Sequence, residues 1–129
     1  MNGKRILREV LIWVPTLLLV AMFLNAGFRK FPENGGWAWA FRNYGYPLWF
    51  RYLIGVVEVA AALMLLVPRT AAYGAATIIA VMIGAIGTVL ITLDRVPMQG
   101  LVTPAICIVV ASIVLAMRWS RRQLLHVAA

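Results

Sequence analysis

The sequence predicts an all-α integral membrane protein: an antiparallel four-helix bundle with a short interfacial helix in its first loop. Three observations predict it. Sixty-four per cent of the 129 residues are hydrophobic and 12% are charged, against roughly 45–50% and about 25% in soluble domains. The apolar residues fall in four long runs instead of alternating with polar ones. The connections between the runs are short, which makes successive helices antiparallel neighbours. One transmembrane domain over residues 1–129 follows. Disorder is excluded, because it needs low hydrophobicity and high charge.

The first nine residues are basic, with Lys4, Arg5, Arg8 and the acid Glu9. The first span is predicted over 10–28, with Pro15 as a candidate kink. It is too long for a signal-peptide core and no small-residue cleavage site follows, so a retained helix is expected. The loop over 31–48 opens with Pro32, Gly35 and Gly36. Between Phe28 and Tyr52 lie ten of the fourteen aromatic residues, a concentration that marks this loop as special. Trp37, Phe41 and Tyr44 share one face of a short helix at i, i+4, i+7. Gly45 supplies its C-cap and Pro47 its stop. Two readings of this helix stand: an aromatic belt at headgroup depth, or a lid over a ligand site.

The second span is predicted over 49–67, followed by the tight turn Pro68-Arg69-Thr70. The third covers 71–93 without a charge. Its Ala76, Ala80, Gly84, Thr88 and Thr92 recur every four residues, which predicts a close-packing face, either inside the bundle or between two copies. On that reading Gly84→Leu is expected to disrupt packing. A polar hairpin, 94–100, leads into the fourth span, 101–117, with Trp119 at its interface. Runs of this length fit a bilayer, which takes about 17–25 helical residues.

The net charge of +8 does not indicate nucleic acid, because the basic residues stand at the ends of apolar runs, where membrane proteins place them. Seven of them (Lys4, Arg5, Arg8, Arg69, Arg118, Arg121, Arg122) lie on the side of the termini. Five (Arg29, Lys30, Arg42, Arg51, Arg95) lie opposite. The bias favours cytoplasmic termini. Arg69 reads as an interface anchor. The single cysteine, Cys107, cannot form an internal disulfide or a redox pair, and reads as a packing residue. The single histidine, His126, excludes haem between two histidines and any histidine-based metal cluster. No metal and no covalently held cofactor is expected.

Glu58 is the residue to explain. A carboxylate in the middle of a span is costly against lipid and is expected to face the interior with a partner. Arg51 lies about 10 Å away along the same helix, and Arg51, Gly55 and Glu58 share a face, with Gly55 leaving room beside the acid. The first span ends on the same side of the membrane, with Asn25, Arg29 and Lys30. Glu58, Lys30, Arg29, Arg51 and Asn25 are therefore expected to line one polar pocket, joined by Thr88, Thr92 and Thr103 and roofed by Trp37 and Phe41. Such a pocket suits a quinone or another small amphiphile, with Glu58 as a proton carrier. The alternative is an ion pair of Glu58 with Arg51, Arg29 or Lys30 that only fixes helix register.

With these residues in view, the sequence resembles the DoxX-like family of small four-helix membrane proteins. Gly27 with Lys30, then Phe41, Gly45 and Pro47, then Gly55-Val56-Val57-Glu58, Leu65-Leu66-Val67-Pro68-Arg69 and Gly74-Ala75 match in order over residues 10–95. The resemblance implies a bacterial inner-membrane protein associated with redox chemistry. Relatives include the membrane subunit of a thiosulfate:quinone oxidoreductase, and others are linked to thiol or superoxide defence. This chain has no soluble catalytic extension, so a subunit is expected instead of a complete enzyme. The leading expectation is a quinone- or small-lipid-binding subunit with a partner redox protein or a homo-oligomer. A non-catalytic assembly or stability subunit is the main rival. A small transporter is a third reading, disfavoured because alternating access uses repeats.

Overall fold

A computed structural model describes residues 3–128, with side chains described for residues 3–120. The expectations for Arg121, Arg122 and His126 concern side chains outside the described residues. Five α-helices follow one another: α1 Gly3–Phe28, α2 Gly36–Tyr44, α3 Leu48–Leu66, α4 Ala71–Ile91 and α5 Val102–Ala128. A short 3-10 helix, Met98–Leu101, precedes α5. Among the described residues there is no strand. Four of the helices are long and apolar enough to cross a membrane.

Two boundaries differ from the hydropathy reading. α1 starts at Gly3 instead of residue 10, and α5 continues past Met117 to Ala128. Hydropathy marks where the bilayer lies, whereas good helix formers such as Lys, Arg and Leu carry the helix beyond it. The interfacial helix forms as predicted. Gly45 ends it with φ 85°, and its N–H bonds to the Arg42 carbonyl. That left-handed conformation favours glycine.

The four long helices form a ring in which α1 and α4 each pack against both α3 and α5. Leu19 and Phe23 of α1, Ala62 and Leu65 of α3, Ile78 and Met82 of α4, and Ala111 and Val114 of α5 meet in the centre. Leu17, Leu18, Leu53, Val56, Ile83, Leu90, Val109 and Ile113 point outward. An apolar exterior around an apolar core is what a bilayer requires.

Inside the bundle, the close-packing faces are not where the spacing of four placed them. Ala76, Ala80 and Gly84 face outward or into open space, and only Thr88 and Thr92 are buried. Four residues turn an α-helix by about 400°, so each step over-rotates by about 40°. Over four steps the row winds from the outside of α4 to its inside. The tight contacts use other glycines. A Cβ on Gly74 would lie 2.8 Å from the Ala61 carbonyl oxygen. Where α1 crosses α3, a Cβ on Gly27 would lie 2.6 Å from the Val59 side chain and 3.0 Å from the Gly55 carbonyl oxygen. Gly55 therefore makes room for the backbone of α1 as well as for the side chain of Lys30.

Candidate functional site

Glu58 is buried and meets a cation. The Lys30 ammonium donates to Glu58 Oε2 at 2.8 Å, and both side chains are 3% exposed. Chain geometry selects Lys30. It lies two residues past the end of α1, in a turn, and the Gly27–Gly55 crossing holds that turn against α3. A long side chain can then run back along the helix end, and Lys30 Nζ comes within 3.5 Å of the Ala26 carbonyl oxygen. Above it lies the Trp37 ring, its centre 3.8 Å from Nζ. The ammonium is thus held by a carboxylate and by the face of an indole, the aromatic surface that attracts cations most strongly.

The pair lies in the wall of a cavity of about 790 Å³. The apolar part of that wall comes from Met22, Phe23, Val81, Met82, Ala85 and Val89. α2 supplies Trp37, Ala40, Phe41 and Tyr44. Phe41 is buried and packs edge-on against Trp37 and Tyr44, with Tyr46 and Phe50 beside it. Tyr46 and Thr88 share a hydrogen bond of 2.7 Å between their hydroxyls, which ties the end of this aromatic cluster to α4. Thr88 and Thr103 reach the cavity, whereas Thr92 is buried and donates to the Thr88 carbonyl at 2.6 Å.

The remaining expected residues divide. Arg29 is exposed and lines the mouth of the cavity. Asn25 is exposed on α1 and takes no part in the wall. Arg51 is 2% exposed but turns from Glu58 to Glu33, with Nη2 donating to Oε1 at 3.0 Å. Sharing a helix face with Glu58 did not suffice, because the loop brings a nearer acid to Arg51 and the turn brings Lys30 to Glu58.

Glu33 was missed because a loop acid is ordinarily solvated. It also accepts from the Tyr52 hydroxyl. That bond and the Arg51 guanidinium hold its carboxyl below the usual glutamate range. A depressed folded pKa means that the contact contributes at neutral pH and is lost as pH falls through the lowered value. The melting-temperature difference between wild type and Glu33→Gln should therefore persist from neutral pH down to about 4 and vanish only below it. A difference that disappears well above that pH would show that the clamp contributes nothing.

Two more residues were legible only in part. Cys107 belongs to the core and also lines the cavity. Arg118, counted above only among the cations on the side of the termini, is 4% exposed. Its guanidinium carbon lies 4.5 Å from the centre of the Trp13 ring, and Nη2 donates to Thr16 Oγ1 at 3.4 Å. This joins α5 to α1 in the half of the bundle away from the cavity.

Neither the curated proteins nor the solved structures include a significant match to the chain. The sequence pattern of the DoxX-like family matches residues 14–114. The match runs from near the middle of α1 to near the middle of α5; it starts slightly later than the residues 10–95 read from the motifs and reaches further toward the C-terminus. It takes in both partners of the ion pair, the aromatic loop and Cys107. With four membrane-length helices and this match over most of its length, the chain is a membrane protein that belongs to the DoxX-like family.

Proposed function

We propose that this protein binds a quinone or a similar small lipid in the cavity between its helices and serves as a membrane subunit of a bacterial inner-membrane redox complex, with both termini cytoplasmic. The observation that carries this reading is the Lys30–Glu58 pair, buried at 2.8 Å in the wall of an otherwise largely apolar cavity. The two charges cancel, so the site favours an uncharged head group over a carboxylate, which would compete with Glu58. Lys30 N–H donates to a ring carbonyl oxygen. Glu58 accepts from a ring hydroxyl. A single site then recognises the oxidised and the reduced form of one ligand. Trp37, Phe41 and Tyr44 offer the faces on which a flat ring stacks.

The test is extraction of the chain at its native level in mild detergent, with mass spectrometry of its lipids and proteins. A bound quinone is expected, and Glu58→Gln should lower its occupancy by about tenfold or more, as losing a hydrogen bond to a charged group does, while the chain still inserts. A stoichiometric protein partner with no bound lipid would favour an assembly role instead. For topology, a reporter near Gly35 should report the periplasm and one after Ala129 the cytoplasm. The reverse pattern would place the cavity in the cytoplasmic half.

A further inference from the structure

The cavity is closed and open in different directions, and this bears on how a ligand lies in it. Toward the water, α2 roofs it: Trp37 covers Lys30, Phe41 is buried among aromatic rings, and the Tyr46–Thr88 bond fastens the end of the roof. Sideways it is not sealed. α1 and α5 are joined through Trp13, Thr16 and Arg118 in one half of the bundle. In the other half, Met22 and Ala26 of α1 and Arg29 just past its end line the cavity, as do Thr103, Pro104 and Cys107 of α5. Two of the lining residues on this side, Arg29 and Thr103, are exposed.

Resting on the quinone reading above, we propose that the ligand is a tailed amphiphile whose ring sits at Lys30–Glu58 and whose apolar tail leaves the bundle between α1 and α5 into the bilayer. The energetics favour this arrangement. A tail that lies in hydrocarbon before and after binding exchanges one apolar contact for another, so only the ring changes its surroundings. A tail folded entirely inside would lose its rotamer freedom as well. A water-soluble ligand would have to pass the aromatic roof. The polar pair that orients the ring lies under Trp37, between α1 and α3, and the lateral gap lies beside Thr103 of α5, where nothing but a tail need pass.

Tail and ring are separated by two fully substituted quinones, duroquinone, which has no tail, and decylubiquinone, which has one of ten carbons. Each is added to the full chain in detergent and read as a shift in melting temperature, since a ligand of the folded state raises it. Both should raise the melting temperature of the wild type. Thr103→Trp and the smaller Thr103→Leu place bulk at the α5 edge of the gap. Each should weaken decylubiquinone by about tenfold or more through overpacking and leave the duroquinone shift intact. Either variant is sufficient if the other fails to fold. Full retention of the decylubiquinone shift in the folded variants would overturn the lateral path. Equal loss of both compounds would overturn it too, because the tail would then not be what the added bulk displaces. A wild type stabilised by duroquinone alone would do the same. If neither compound shifts the wild type, the quinone reading itself fails, and the lateral path with it.

Discussion

Replacing Lys30 with methionine should destabilise the protein by about 3–5 kcal/mol, the cost typical of removing one partner from a buried ion pair. The carboxylate of Glu58 is 3% exposed and takes its ion-pair contact from Lys30. Without that ammonium it must ionise uncompensated or take up a proton. Methionine keeps most of the side-chain volume, so a cavity contributes little to the loss. The Trp37 ring loses its cation as well. Glu58→Met should cost a similar amount, since it strands the ammonium. The double variant should recover most of the loss, because an apolar pair of similar volume is often as stable as a buried ion pair. Melting temperatures of the four proteins in one detergent provide the cycle. If both single variants were as stable as the wild type, the pair would be carrying no structural load. A stable double variant that no longer binds quinone would separate the ligand role of the pair from its role in the fold.

The second large effect is expected at Gly74. Its missing Cβ would lie 2.8 Å from the Ala61 carbonyl oxygen and 3.1 Å from the Met64 Cβ. The nearest of these is backbone on α3, and it cannot rotate away. Gly74→Leu must therefore push α3 and α4 apart, at a cost of about 1–3 kcal/mol or more. Reduced yield of folded protein and a lowered melting temperature are the expected results. Gly84→Leu is the matched control on the same helix. A Cβ there meets nothing within 4 Å, so the fold should survive and the added side chain should encroach on the edge of the cavity. Equal damage from both substitutions would refute this account of α4 packing. So would tolerance of both.

The physical difference between Gly74 and Gly84 is also the limit of what the sequence could tell. Both are glycines of one apolar helix, and the row spaced by four pointed to Gly84. Which side of a uniformly apolar helix packs against a neighbour is decided by the neighbour, and hydropathy cannot show it when every face is apolar. The same limit applies to the polar residues. Arg51 shares a helix face with Glu58, but its partner is Glu33, which a loop folds onto it. Arg118 stands where an interface anchor would stand, but it is turned inward against Trp13 and Thr16. Asn25 shares its helix with the cavity-lining residues of α1 and faces away from them.

By itself the sequence determined that four helices span a bilayer, that a short aromatic helix capped by Gly45 follows the first, and that Glu58 faces inward toward a cation. Each of these follows from local cost: apolar runs matched to the bilayer, a left-handed residue at a helix end, and a charge kept from lipid. Tertiary structure alone decided that the cation is Lys30 and not Arg29 or Arg51, that the Trp37 ring packs on its ammonium, that Glu33 takes Arg51, and how large the expected pocket is. Each of these depends on how far apart separate helices stand. That separation is set where Gly27 meets Gly55 and Gly74 meets Ala61, through contacts between residues distant in the chain that no local pattern records.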